Sequence, residues 1–271
     1  MSYRQKVPLG QTGLLVSRLG IGCSYGIDTS SLIEAFEQGI NYFYFGTLRR
    51  AAMAKAVHHL APQYREKLVI AIQSYTRWAV VLRKSVAIAL KKLKLEYADA
   101  LILGKVDSTP SSELMKEALK LKKSGHVRFL IVSAHRRSQF QQHLQSGVFD
   151  AIMVRYNAAH VGAEKDVLPL LPQTGRPGVI CYTATRWGTL LDQVPGEPRA
   201  AASDCYRFVL RNPYVDVCLC GPKNRAELIE ALKTLDAPPI DEQEDAWMRR
   251  IGNVIYQQKH HNFVLRKLIF D

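Results

Sequence analysis

Apolar residues in this chain come in short β-branched runs separated by amphipathic stretches. The runs at Val16–Cys23, Ile40–Phe45, Leu68–Gln73, Ala100–Leu103, Phe129–Ser133, Ala151–Arg155, Val179–Tyr182 and Val215–Cys220 predict strands. Helical spacing lies between them over Ser31–Gln38, Leu82–Leu93, Ser112–Lys123 and Arg225–Leu235. In the last, Leu228, Leu232 and Leu235 recur three to four apart, as one buried helix face requires. Alternation of strand and helix predicts parallel βαβ units with right-handed crossovers. Eight such units predict an α/β fold, a (β/α)8 TIM barrel, as one domain over residues 1–271, with the chemistry at the strand C-termini. Thr12-Gly13 predicts a tight turn joining two short strands, an N-terminal β-hairpin capping the barrel floor. From Pro238-Pro239 to Phe270 the pattern predicts two extra C-terminal helices packed outside.

Composition changes this picture little. An apolar share of 47% with 23% charged residues is that of a soluble globular chain. No apolar run is long enough to span a bilayer, and the N-terminus has no apolar signal core, so a cytoplasmic protein away from membranes is expected. Cys23, Cys181, Cys205, Cys218 and Cys220 form no Cys-x-x-Cys pair and read as buried free thiols. The net charge of +13 asks for more. Lys91, Lys92 and Lys94, and again Lys120, Lys122 and Lys123, gather at helix ends, where cations suit the helix dipole. No nucleic-acid motif accompanies them, so nucleic acid is not an expected partner. A small, anionic molecule is, and oligomeric state stays open.

Tyr44, Arg49, Gln73, Tyr75, Lys105, His135, Arg155 and Asn157 fall at or just beyond predicted strand C-termini. Together they suggest a cationic pocket, with a carboxylate or phosphate held by a guanidinium fork. Arg49 or Lys105 could lower the Tyr44 phenol pKa and make it an acid or base. The plainer alternative packs Tyr44 in the barrel floor, points Arg49 to solvent and pairs Arg155 with Glu164 or Asp166. No metal site is expected: His58-His59 and His260-His261 are adjacent and diverge on a helix, and His160 with Glu164 reads as a surface contact. Ser203 or Asp204 is expected to cap a helix before the last strand.

Several segments in order resemble one family. Leu9-Gly10-Gln11-Thr12-Gly13 through Gly20-Ile21-Gly22, with Gly39-Ile40-Asn41-Tyr42-Phe43-Tyr44-Phe45-Gly46, resembles the opening of an aldo-keto reductase. Ser124-Gly125-His126-Val127-Arg128 is similar to the turn before that family's fifth strand, and Arg155-Tyr156-Asn157 to the end of the sixth. Cys181-Tyr182-Thr183-Ala184 through Arg186-Trp187-Gly188-Thr189-Leu190-Leu191 is similar to the segment after the seventh. Cys220-Gly221-Pro222-Lys223-Asn224-Arg225 through Glu230 resembles the phosphate-binding loop and helix after the eighth.

The resemblance implies NADP(H) lying across the barrel mouth. Tyr182 would stack on nicotinamide, Ser133 would hold its amide, and Trp187, Gly188 and Gly221 would line its path. Lys223, Asn224 and Arg225 would meet the 2′-phosphate. Ala134 and Met153 stand where the family usually has Asn and Gln, which loosens the grip on the amide. The resemblance also implies an Asp-Tyr-Lys-His tetrad, and here those positions hold Tyr44, Arg49, Gln73 and Gly104. Standard tetrad carbonyl reduction is therefore expected to be absent.

Three functions follow: an NADP(H)-dependent oxidoreductase with a rewired acid, Tyr44; a catalytically silent cofactor-binding or regulatory barrel; and a non-redox lyase or isomerase using Tyr44, Arg49 and Lys105.

Overall fold

A computed structural model describes the backbone of residues 3–270 and the side chains through Gln258. A two-residue hairpin, β1 (Val7–Pro8) against β2 (Leu15–Val16), precedes eight parallel strands. These are β3 (Leu19–Gly22), β4 (Tyr42–Phe45), β5 (Val69–Ser74), β6 (Ala98–Leu103), β7 (Val127–Ser133), β8 (Ala151–Arg155), β9 (Gly178–Tyr182) and β10 (Val217–Cys220). They pair in sequence order and close into a barrel where β10 meets β3. The helices are α1 (Thr29–Glu37), α2 (Ala51–Tyr64), α3 (Ala79–Leu93), α4 (Ser112–Lys123), α5 (Gln139–Gln145), α6 (Ala163–Asp166), α7 (Ala202–Leu210), α8 (Arg225–Asp236) and α9 (Glu242–Phe270).

Every strand serves two cores because successive side chains point to opposite faces. Phe43 and Phe45, Ile70 and Ile72, Leu101 and Leu103, and Ile152 and Val154 face the helices. Tyr42, Ala71, Ile102, Ile131, Met153, Ile180 and Leu219 fill the lumen, and Leu9, Leu14 and Val16 of the hairpin join them from below. The barrel is thus plugged at its floor and open only at the strand C-termini.

The expected strand Val16–Cys23 is divided. Val16 belongs to the hairpin, and the ladder restarts at Leu19 because Ser17 is diverted into a local network. The Ser17 amide donates to Asn41 Oδ1 at 2.7 Å and its hydroxyl donates to the Leu19 carbonyl at 2.6 Å. The Asn41 amide in turn donates to Ser17 Oγ, and its Nδ2 donates to the carbonyls of Leu15 and Lys67. One buried side chain therefore ties hairpin, β3 and β4 together.

Two further expectations change. One helix, α9, replaces the two expected after Pro238-Pro239, started by Asp241, whose carboxylate accepts from the Glu244 amide at 2.8 Å. The helix before the last strand is α7, whose cap position is Ala201. Asp204 sits inside its first turn and accepts from the Ala201 amide, while the Ser203 hydroxyl donates to Glu230. The side chains from residue 259 onward, His260 and His261 among them, lie outside the described residues. All five cysteines are buried and unpaired, and among the described residues no helix is long and apolar enough to cross a membrane.

Asn41→Ala should lower unfolding stability by about 2–4 kcal/mol, because buried backbone groups of Ser17 and Leu15 lose their partners. Urea unfolding followed by circular dichroism checks this; a loss below the error of that measurement would show that the network is not holding the floor.

Candidate functional site at the barrel mouth

Strand alternation aims Tyr44, Gln73, Ser133 and Tyr182 inward at the open end. They border a cavity of about 740 Å³ at the C-terminal rim, also lined by Tyr75, Lys105, His135, Trp187, Gly188, Gly221 and Lys223. The Tyr44 hydroxyl donates to Gln73 Oε1. A Cβ on Gly104 would lie 2.5 Å from Gln73 Nε2 and 2.7 Å from the Tyr75 ring. A side chain there is incompatible with the present Gln73 and Tyr75, so the bare position 104 and the Tyr44–Gln73 pair belong to one packing solution.

The electrostatics differ from expectation. The Tyr44 phenol is pushed well above its ordinary value, by burial first and then by the neighbouring Tyr75 hydroxyl. Its main influences are burial and neighbouring phenols, not a cation. Arg49 is exposed, adopts a left-handed backbone (φ 47°) and donates to the Tyr25 carbonyl at 3.2 Å, and it does not itself line the cavity. Lys105 and His135 stand on the rim, each exposed. The Asp107 carboxylate fixes the loop carrying His135 by accepting from the amides of His135 and Arg136. Tyr44, Gln73 and Gly104 therefore converge, and Arg49 does not.

The expected cofactor residues also divide. Tyr182 stands in the wall with its hydroxyl buried, near the Ser133 hydroxyl but outside hydrogen-bond geometry to it. Burial raises its phenol, although Arg155 and the Ser133 hydroxyl nearby favour the ionised form. Met153 lies buried beneath it. Gly221 and Lys223 line the rim, and a Cβ on Gly221 would lie 2.7 Å from the Tyr25 ring. Asn224 instead caps α8, accepting from the Glu227 amide, and Arg225 makes a two-pronged pair with Glu34 at 2.7 Å. Neither lines the cavity. Asn157 is likewise a brace: its Nδ2 donates to the Thr183 carbonyl and its Oδ1 accepts from the Ala159 amide.

Arg155 ends β8 opposite Tyr182 and has neither of the partners considered for it. Glu164 accepts from Tyr156, Arg211 and Arg249, not His160, and Asp166 pairs with Arg137. Sequence reasoning passed over Tyr25, Arg199, Tyr206 and Glu227, which also line the cavity. Tyr25 could have been found, since it follows the first barrel strand at its C-terminal end. Glu227 accepts from the Lys223 amide at 2.9 Å, placing a carboxylate beside the rim cation. Among the described residues no cluster of His, Cys, Asp or Glu could hold a metal ion.

The sequence of residues 31–204, more than half of the chain, matches the aldo/keto reductase family. The chain belongs to that family. It is therefore an oxidoreductase-family barrel of a kind that uses nicotinamide cofactors. It is 27% identical to L-galactose dehydrogenase of Arabidopsis thaliana over 224 residues, covering 72% of this chain and 70% of that protein. It is 23% identical to the NADH-specific methylglyoxal reductase of Escherichia coli K12, covering 72% and 73%. The fold is shared with the holo form of the aldo-keto reductase AKR11C1 from Bacillus halodurans, at 20% identity and a TM-score of 0.77, over 91% of this chain and 96% of that one.

His160 supplies a pH test of this rim. Burial, then the charges of Arg155 and Arg186, lower its pKa to about 4. The unfolded chain takes up a proton near pH ~6.5 that the folded one refuses until about 4, so its contribution to stability is lost as pH falls through that window. His160→Gln should flatten the pH dependence of Tm between those values. An unchanged slope would mean that His160 is not the group responsible.

Proposed function

We propose that the barrel mouth binds a nicotinamide dinucleotide, NADP(H), and that the protein is an oxidoreductase of non-standard design acting on a small anionic carbonyl or alcohol substrate. The observation supporting this most directly is the buried, unpartnered Tyr182 hydroxyl beside Ser133 in a wall that continues to Gly221 and Lys223. An aromatic face with a polar neighbour suits a flat carboxamide-bearing ring. Bound there, the dinucleotide would supply hydride transfer.

The chain's own residues handle the rest. Lys223, exposed on the loop before α8, is the cation for a 2′-phosphate, and the N-terminal amides of α8 add favourable dipoles. Arg225, whose side of the Glu34 pair is exposed, can join once it leaves Glu34. Tyr44 keeps its proton throughout the physiological range, so it acts as a hydrogen-bond donor to a substrate oxygen that displaces Gln73. A phenol so reluctant to ionise is a poor general acid, which makes turnover slow. The same raised phenol favours the second reading, a cofactor-binding barrel without turnover.

Fluorescence titration with NADPH and NADH should show binding of both, with Lys223→Ala weakening NADPH about tenfold (~1.4 kcal/mol) and leaving NADH nearly unchanged. Glu34→Gln, which frees Arg225, should tighten NADPH alone. Absence of binding by either dinucleotide removes the proposal. NADPH oxidation over a panel of carbonyl compounds, compared with Tyr44→Phe, separates the two readings: a fall of at least about tenfold is expected for a working donor, and no turnover in the parent protein favours the silent barrel.

A further inference from the structure

We propose that Arg155, Arg186 and His160 form an anion subsite at the corner of the rim between the loops that follow β8 and β9, and that it anchors the carboxylate or phosphate of the substrate. The second half rests on the oxidoreductase reading above; the first stands without it.

Arg186 is only 5% exposed, and its Nη1 is buried without a hydrogen-bond partner. Arg155, half-buried, makes no ion pair among the described residues. The carboxylates of the surrounding elements are committed elsewhere: Glu164 to Arg211 and Arg249, Asp166 to Arg137, and Asp245 to Arg249 and Arg211. Burial makes the Arg186 guanidinium a less favourable cation and the charge of Arg155 adds to this, with only the Tyr256 phenol acting the other way. Burying an unpaired charge costs several kcal/mol unless something neutralises it. His160 completes the set as a neutral imidazole whose Nδ1 is also buried and unpartnered.

The backbone is built to hold this corner. Thr183, Arg186 and Trp187 all adopt left-handed conformations, with Gly188 following. Such conformations are costly for a β-branched or bulky residue and persist where surrounding contacts over-determine them, often at ligand clamps. Here the Asn157 side chain and the Arg186 amide both donate to the Thr183 carbonyl, and the Thr189 hydroxyl donates to the Arg186 carbonyl. From outside, α9 presses onto the loop after β8: a Cβ on Gly252 would lie 2.1 Å from the Ala158 carbonyl oxygen, and the Tyr256 ring meets His160 edge-on at 5.7 Å.

The loop that carries Arg186 borders the cavity, although Arg155, His160 and Arg186 themselves sit behind its lining. Arg155 lies opposite Tyr182 in the strand register and favours the ionised form of that phenol, and Thr183, Thr185 and Trp187 line the cavity wall. A planar fork from each arginine suits two oxygens of a carboxylate or phosphate, and the imidazole offers one further hydrogen bond.

Isothermal titration of the full chain with inorganic phosphate, without dinucleotide and at constant ionic strength, tests the subsite. Phosphate should bind, with Arg155→Met and Arg186→Met each weakening it at least about tenfold, while Arg49→Met, outside the cavity, leaves it unchanged. In the unaltered protein, phosphate should raise the His160 pKa, read from its ring proton resonances, because the anion offsets the two guanidinium charges. No phosphate binding, equal binding in the arginine variants, or an unmoved His160 overturns the subsite. Glyceraldehyde 3-phosphate should bind at least about tenfold tighter than inorganic phosphate, with unphosphorylated glyceraldehyde binding weakest. Equal affinity of the sugar phosphate and phosphate would make the corner a site for the free ion and overturn its role as a substrate anchor. Because no dinucleotide is present, these outcomes are independent of whether NADP(H) binds.

Discussion

The constraint on which this protein's site depends is the narrowness of the closed barrel. Eight strands leave a lumen just wide enough for inward side chains to fill it. Tyr42, Ile102, Met153 and Leu219, with the hairpin residues Leu9 and Leu14, occupy that space. Any group placed at a strand C-terminus then has nowhere to go but the mouth, and its nearest neighbours are the equivalent residues of adjacent strands. A substitution at one such position is felt at the next. That is why Gly104, Gln73, Tyr75 and Tyr44 read as one change: the space above Gly104 is taken by Gln73 and Tyr75, and Gln73 in turn accepts the Tyr44 hydrogen bond.

This coupling has a chemical consequence. An ionisable pair in the centre of the mouth would set a local field and lower the pKa of a neighbouring phenol. A carboxamide cannot. Burial is left as the dominant influence on Tyr44 and Tyr182, and it acts on both in the same direction, toward the neutral form. The centre of the mouth is consequently neutral and hydrogen-bonding, while formal charge is displaced to its edge, at Lys105, Lys223 and Arg155. Recognition by charge and chemistry at the centre are separated in space.

How far the sequence reveals this follows from which property each residue expresses. Strand positions were legible because period-two burial writes itself into the apolar pattern, and α4 was bounded correctly at Ser112–Lys123 by its own helical spacing. The helix α2 leaves little apolar periodicity, since Ala51–Tyr64 is rich in alanine and histidine and carries Pro62 in its last turn. Long side chains were placed least well. Register fixes where Arg49 and Arg225 leave the backbone but not which way they reach. A left-handed φ turned Arg49 outward, and Arg225 met Glu34, a residue distant in sequence. Asn157 stands at a strand end as a ligand residue should, yet its short amide is consumed by Thr183 and Ala159. The buried Arg186 left no trace in composition or spacing, because burial of a single cation is a property of the packing around it.

The distribution of counter-charges carries the remaining argument. Cations exceed anions in this chain, yet Arg65 and Arg128 share the buried Asp99, Arg176 grips Asp216, and Arg207 grips Glu244. Each of these pairs holds framework together at the barrel floor or beneath the outer helices. Arg18, which has no carboxylate partner, donates instead to the Val215 and Leu210 carbonyls, whereas no partner is seen for Arg186 Nη1 and no ion pair for Arg155 among the described residues. Their isolation at the open end, beside a strained loop and an unpartnered tyrosine hydroxyl, is the distribution expected when the missing anion arrives with a ligand.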